Sequence, residues 1–335
     1  MTSHLSLNEL LHAASRTFAL GIDMLPEPLR SEIETAYLVL RVSDYLEDNE
    51  SMDSDDKALW LEQWADALDA NSLPPALQSF LESCPDDTPD ALVARSVRRV
   101  HEALARLDPN ARSIIAHHTA DSTRGMARWA RRGSDFPDEP ALDDYMHEVA
   151  GRVGWLLTDL FALRVPGLAT RRDDMMALGR EFGLALQTVN VIRGLHDDWT
   201  RGWVFVPRSF VGDRDPLPAA LVDGSATDAT AAGLMVDQLV RKAEGHLEAA
   251  RRYLSGLPRR AHRVRLFCML PWLFAVRTLA ISRANPNVLT EETKITRDEV
   301  RRIASAAQRF GWSNLWLRWY SARLAHAPNP AAQRA

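Results

Sequence analysis

Cysteine is almost missing from this chain: among 335 residues only Cys84 and Cys268 occur. Two thiols so far apart exclude a disulfide framework or a zinc site, and they make a reducing, cytoplasmic setting the default expectation. No stretch of about 18 uncharged apolar residues is present, so no transmembrane helix is expected. The opening MTSHLSLNELLHAASRTF lacks a basic leading region and carries Asn8 and Glu9 inside its apolar stretch, unlike a signal peptide. Positive charge is not in excess: 40 Lys and Arg stand against 45 Asp and Glu, a net charge of −5, which gives no reason to expect nucleic acid as a partner. Runs of alternating β-branched residues, a repeat of fixed period and a G-x-G-x-x-G dinucleotide fingerprint are also absent. Nothing in the sequence points to an obligate protein partner.

What is present is helical periodicity. Hydrophobic residues make up 46% and charged residues 25%, the range of a globular protein with enough chain for one large core or two ordinary domains. Ser6-x-x-Glu9 is a capping box, and Leu7, Leu10, Leu11, Ala14 and Phe18 follow it at three- and four-residue steps, which predicts one first helix. Pro26 and Pro28 break the chain. A second helix is predicted from Arg30 to Asp48, and further helices over 56–71, 74–84, 89–108, 109–132, 140–165, 170–199, 229–256, 259–284 and 296–324. The only extended piece expected is Trp203 to Pro207. Residues 211–228, rich in Asp, Pro, Gly, Ser and Thr, read either as a domain linker or as a long connection within one bundle. Long apolar helices on both sides favour the connection. The expected organisation is a single all-α domain over residues 1–325 with a polar tail over 326–335.

Two acidic motifs lie on these helices. In Arg41-Val42-Ser43-Asp44-Tyr45-Leu46-Glu47-Asp48, the residues Arg41, Asp44 and Asp48 step by three and four and share a face, with Glu47 at its edge. Carboxylates crowded on one turn repel one another unless a cation sits among them, and oxygen-only ligands suit magnesium, which recruits phosphates as further ligands. In the second motif, Gln187 to Asp198, the residues Asn190, Gly194 and Asp198 share a face, flanked by Gln187 and Asp197. A polar face of this kind can line a pocket. Each motif also has a plainer reading. An acidic helix end running into an acidic loop is commonly just solvent-facing. A carboxylate pair at a helix C-terminus opposes the macrodipole, which argues for a cation or basic partner nearby.

Five blocks then occur in order: SRTFALGIDMLP from Ser15, AYLVLRVSDYLED from Ala36, YMHEVAGRVGWLLTDLF from Tyr145, GLALQTVNVIRGLHDD from Gly183 and RLFCMLPWLFAVRTLA from Arg265. Together they resemble the signature blocks of the squalene/phytoene synthase family, and the wording YLVLRxxDxLED, VAGxVG and FCxLP is closest to its squalene synthase branch. The resemblance implies an isoprenoid-synthase helical bundle around a central apolar cavity, with two acidic helices facing each other across it. It implies magnesium-dependent head-to-head joining of two farnesyl diphosphates through presqualene diphosphate, followed by NADPH reduction to squalene. The metal ligands it implies are Asp44, Glu47 and Asp48 at one site and Asp197 and Asp198 at the other. Arg16, Arg41 and Arg193 become diphosphate clamps, since a guanidinium matches phosphate oxygens bidentately. Ser15, Gln187 and Asn190 join them as substrate-binding residues. Tyr145 matches the tyrosine that assists proton loss in cyclopropane closure, and Asp44, Asp48 and Asp198 complete the catalytic set. Phe18 and Phe267 match aromatic residues lining the cavity, where ring faces stabilise carbocations by roughly 0.5–2 kcal/mol each. Core packing explains these two rings as well. In VAGRVG, the small residues Ala150, Gly151 and Gly154 admit close approach by either a helix or a substrate.

Three positions depart from the family pattern. Gly194 stands where the first aspartate of the second motif belongs. Trp203 stands where an arginine precedes Phe205-Val206-Pro207, with Arg201 as a nearby replacement. Trp272 stands where squalene synthases carry a glutamine. A helix-interior glycine costs about 1 kcal/mol relative to alanine and removes a metal-directed carboxylate. These departures keep a second enzyme reading open: a terpene cyclase, or a prenyl transferase with a phytoene-type product, hydroxysqualene or a non-isoprenoid acceptor. A non-catalytic prenyl-lipid-binding protein is the third reading. The segment from Arg309 to Tyr320 is dense in aromatic residues and reads either as the last core helix or as a peripheral membrane contact.

Overall fold

A computed structural model describes residues 5–212, 218–283, 285 and 287–327, and no strand occurs among them. The side chain of Arg16 and residues 328–335 of the expected tail lie outside the described residues. In chain order the helices are α1 (Leu7–Ala14), α2 (Arg16–Asp23), α3 (Leu29–Asp48), α4 (Ser54–Ala70), α5 (Pro75–Glu82), α6 (Pro89–Arg95), α7 (Val97–Arg106), α8 (Pro109–Arg132), α9 (Glu139–Met146), α10 (Arg152–Arg164), α11 (Arg172–Thr200), α12 (Pro218–Val222), α13 (Ala229–Gly256), α14 (His262–Arg283), α15 (Arg297–Phe310) and α16 (Asn314–His326). A π-helical turn, His147–Gly151, lies between α9 and α10.

Short polar side chains decide many of the boundaries. The capping box at Ser6 forms as expected, Ser6 Oγ accepting from the Glu9 amide at 3.2 Å and the Glu9 carboxylate accepting from the Ser6 amide at 2.6 Å. The first helix nevertheless stops at Ala14. Ser15 is extended and accepts from the Phe18 amide at 3.2 Å, so it caps a second helix instead of continuing the first. The expected helix over 89–108 breaks at Ser96 without a side-chain cap, and the one over 140–165 is interrupted by the π-helical turn. The last expected helix breaks at Gly311, and Ser313 caps α16 by accepting from the Trp316 amide. The connection over 211–228 contains the short helix α12. Residues 203–207 form no strand.

The chain divides into two compact units, residues 1–133 with 152–173, and residues 134–151 with 174–335. In the first unit α8 packs on α4, α10 and α3. Its centre holds the fully buried Trp64 and Trp129. Trp64 donates its indole N–H to the Val39 carbonyl, and the Ser43 and Thr123 hydroxyls meet at 2.7 Å between α3 and α8. Buried Glu32 on α3 accepts from Arg164 Nε of α10 at 2.9 Å. These contacts fix the pitch of α3, the helix that carries the first acidic motif.

In the second unit α14 is the central helix, packed against α13, α15 and α16. With a mean hydropathy of 1.6 over an 18-residue window, α14 is long and apolar enough by length and composition to cross a membrane, although 78% of that window is buried within the protein. Arg265 and Arg277 interrupt the apolar run, so no stretch of 18 uncharged residues occurs in it. Both are buried with fixed partners: Arg265 donates to the carbonyls of Leu254 and Leu257 at 2.8 Å each, and Arg277 Nε to Glu299 at 2.8 Å. The helix is therefore read as a core helix.

Candidate active site

On α3, the three- and four-residue spacing does bring one polar face together. Arg41 Nε donates to Tyr37 Oη at 3.0 Å and Nη1 donates to Asp44 Oδ2 at 3.0 Å. The same Nη1 lies 3.6 Å from Asp90 Oδ2, a carboxylate supplied by the first turn of α6. Asp44 is pushed up to about 6: burial is the main cause, Arg41 opposes it, and Asp48 and Asp90 add to it by like-charge repulsion. Glu47 is half-buried and Asp48 exposed at the helix end. Tyr37 and Asp90 were missed in the sequence reading. Tyr37 carried a usable signal, lying one helical turn before Arg41, whereas Asp90 is 46 residues beyond Asp44 and had none. Phe18 is partly exposed, with its ring centroid 6.0 Å from that of Tyr37. Ser15 uses its hydroxyl as a helix cap.

The second motif occupies the last turns of α11. Gln187, Arg193, Gly194 and Asp198 are half-buried, and Asn190 and Asp197 are exposed. Arg193 Nε lies 3.6 Å from Glu292 Oε1. Arg201 is ion-paired with Asp198, so the guanidinium expected as a replacement at this site does lie against the motif. A Cβ added at Gly194 would meet nothing closer than Asp198 Oδ2 at 3.6 Å, an ordinary contact. Packing therefore does not require glycine there. Gly183, one block earlier, is different: a Cβ there would sit 2.1 Å from the Ala150 carbonyl oxygen. Likewise a Cβ at Gly151 would meet His147 Nδ1 at 2.5 Å and Leu184 at 3.0 Å. For Gly151, the close approach allowed by VAGRVG is thus filled by α11.

Tyr145, at the end of α9, is buried in an aromatic wall. Its ring stacks on Phe205 (centroids 5.0 Å) and Trp203 (5.8 Å) and meets Phe136 edge-on at 5.8 Å. Trp203, a departure from the family pattern, therefore extends a π surface where an arginine was expected. Trp272 is buried and ties two helices together, its indole N–H donating to the Leu247 carbonyl at 3.0 Å. Phe267 is buried on α14. A groove of about 450 Å³ between α13, α14 and α16 is lined by Trp272, Val276, Leu279 and Arg283, on the side of α14 roughly opposite Phe267. It is separate from the residues singled out for substrate.

Among the described residues no three His, Cys, Asp or Glu side chains form a ready-made metal cluster. The donor set on α3 still fits a hard cation. It is all oxygen, and burial, with smaller contributions from Asp48 and Asp90, holds the Asp44 carboxyl above its ordinary range, a cost that a divalent ion beside it would offset.

An all-α chain that presents carboxylate-rich helix ends and a buried aromatic wall has the isoprenoid-synthase type of helical fold. Comparison with known proteins makes this specific. The family model described as squalene/phytoene synthase matches residues 11–299, and the chain belongs to that family. It is 30% identical over 304 residues to squalene synthase of Schizosaccharomyces pombe, covering 88% of this chain and 63% of that protein. It is also 30% identical over 300 residues to squalene synthase ERG9 of Candida albicans, covering 88% and 65%. The chain thus spans a little under two thirds of these relatives' length. A solved complex of TcSQS with a ligand superposes with a TM-score of 0.80 at 26% identity, covering 97% of this chain and 91% of that one.

Proposed function

We propose that this protein is a magnesium-dependent prenyltransferase that joins two farnesyl diphosphates head to head through presqualene diphosphate and reduces that intermediate to squalene with NADPH. The observation that carries this reading is the arrangement on α3: Arg41 held between Tyr37 and Asp44, beside Asp90, with Asp44 itself reluctant to ionise unless positive charge is added. Family membership supplies the reaction class. Asp44 and Asp48, with Glu47, would hold magnesium at the first site, and Asp198 with Asp197 at the second. When bound, the metal supplies Lewis-acid neutralisation of the departing diphosphate oxygens. Arg41 adds a half-buried guanidinium that would bind phosphate and stays charged. Arg201 and Arg193 serve the second diphosphate. Tyr145 Oη assists proton loss when the cyclopropane closes by passing the proton on to the released diphosphate, while Phe136, Trp203 and Phe205 exclude water and face the allylic cation with their rings. The NADPH step rests on the squalene synthase-like wording of the blocks alone.

Incubating the purified chain with farnesyl diphosphate and magnesium, with and without NADPH, tests the reading by product. Squalene with NADPH and presqualene diphosphate without it is the expected pair. A cyclic terpene, phytoene-type product or alcohol under both conditions would overturn it. Tyr145→Phe keeps the aromatic stack and removes only the hydroxyl. It is expected to lower kcat about a hundredfold or more with little change in KM. Wild-type rates of cyclopropane formation would remove Tyr145 from the proton path.

One observation favours a second reading, in which the altered second site diverts the product: Gly194 has room for a side chain and holds none. Gly194→Asp would set a third carboxylate beside Asp198. The expected result is half-saturation at lower magnesium concentration and a shift of product towards squalene. Unchanged magnesium dependence and products would mean that Asp197 already does this work and that the glycine is neutral.

A further inference from the structure

Charge is distributed very unevenly along this chain. Residues 249–335 hold 16 Lys and Arg against four Asp and Glu, whereas residues 1–248 hold 24 against 41. From Val300 onward there is no acidic residue at all, and six arginines. Net charge near zero for the whole molecule conceals a strongly cationic C-terminal third.

Among the described residues, four of the five most exposed large apolar side chains lie in the same region, the fifth being Leu20 at 63%. Leu315 is 82% exposed, Trp319 57%, Trp312 54% and Phe310 49%. Leu315 and Trp319 are one turn apart on α16, while Leu317, Ser321 and Leu324 of the same helix are buried. The helix therefore packs on the core with one face and presents an apolar strip with another. Arg318 and Arg323 border the strip on either side by helical spacing. Arg323 lies over the Trp319 ring, 5.7 Å from its centroid. Phe310 and Trp312 extend the strip through the turn between α15 and α16, next to Arg309. Among the described residues, none of Arg309, Arg318 and Arg323 has an ion-pair partner within 4.0 Å; Glu248 pairs with Arg251 and feels Arg318 only at longer range.

We infer that this corner of the protein is a docking surface for an anionic lipid bilayer, with Phe310, Trp312, Leu315 and Trp319 entering the headgroup region and Arg309, Arg318 and Arg323 pairing with lipid phosphates. Two features select a bilayer over other acidic partners. Tryptophan is the side chain enriched at the boundary between water and hydrocarbon, and arginine extends an aliphatic stem along that boundary while its head stays with phosphate. An exposed apolar strip edged by arginines is the pattern of an interfacial helix. A nucleic-acid surface would need the charge but not a protruding leucine. The inference stands on surface chemistry alone and is independent of the reaction proposed above.

Flotation of the intact protein with vesicles tests it, using phosphatidylcholine alone and phosphatidylcholine mixed with phosphatidylglycerol. The protein is expected to float with the mixed vesicles at low salt, to be released as salt rises, and to remain behind with phosphatidylcholine alone. Leu315→Asp is expected to reduce the bound fraction at least tenfold. Arg318→Gln with Arg323→Gln should lower the partition coefficient about 25-fold, at about fivefold per arginine near an anionic surface. All three side chains are exposed, so thermal unfolding and magnesium-dependent diphosphate release in free solution should match wild type. Failure of the wild type to float with anionic vesicles would overturn the inference. So would undiminished flotation of both variants, or retention on nucleic acid with no vesicle binding.

Discussion

Asp44→Asn is expected to lower magnesium-dependent diphosphate release from farnesyl diphosphate by about a thousandfold while leaving the protein folded. The substitution removes one charge and almost no volume. Arg41 keeps Tyr37 and Asp90 as neighbours, so the local packing survives. What is lost is a carboxylate at the point where phosphate and cation would meet. The same residue predicts an opposite effect on stability. Its ordinary value is 3.8 and its folded value about 6, so the fold disfavours the ionised form. Its contribution to stability is fully present below the unfolded pKa and is lost as pH rises through the folded one. At about pH 7.5 in metal-free buffer the carboxylate is a liability, and the asparagine variant should melt higher by about 2–4 °C. That difference should shrink as pH falls from about 6 towards 4. The side chain is partly exposed, which keeps the expected shift small. Loss of activity with an unchanged or lowered melting temperature at neutral pH would mean that Asp44 supports the fold, and would remove the argument for a cation-seeking site.

Arg265→Met is the second large effect, and it concerns the fold. Arg265 has no exposed surface. Its guanidinium donates to the carbonyls of Leu254, Leu257 and Gly311 and to Asn314 Oδ1, tying the end of α13 and the α15–α16 turn to α14. Burial, with help from Arg259, lowers its pKa, which reports an expensive location for a charge. Methionine fills similar space but leaves those acceptors unpaired, a loss of about 3–5 kcal/mol. The melting temperature should fall by roughly 10 °C, and Arg265→Lys should recover only part of it, because a lysine cannot reach four acceptors with one fork. A change below roughly 2 °C in a calorimetric scan would show that water replaces the guanidinium at these carbonyls.

How much of this was legible in the sequence differs from helix to helix. Helices α8 and α13 match the predicted ranges because an aspartate cap precedes each of them, Asp108 and Asp228, and proline or glycine marks one end. The breaks at Ser15 and Ser96 were missed because a serine inside an apolar period is also tolerated within a helix; only the Phe18 amide donating to Ser15 Oγ reveals that residue as a cap. The break at Gly311 depends on tertiary packing. A Cβ there would meet Met269 Sδ at 2.9 Å on a helix about 40 residues away in sequence, which no local pattern encodes. The first acidic motif was readable, since its residues belong to one helix face. Asp90 was not, because α6 brings it to Arg41. Gly194 and Trp203 were visible only as departures from a pattern. That the glycine has free space, and that the tryptophan stacks on Tyr145, depends on neighbours in three dimensions that no local pattern encodes.

Central to the proposed activity is ionisation of an allylic diphosphate with the help of a divalent cation held by aspartates. The most direct measurement is release of inorganic diphosphate from farnesyl diphosphate by the purified protein, with magnesium and again with excess chelator. The expected result is release that requires magnesium, saturates with substrate and disappears in Asp44→Asn. Release no faster than the enzyme-free blank, or release unaffected by chelator, would contradict it.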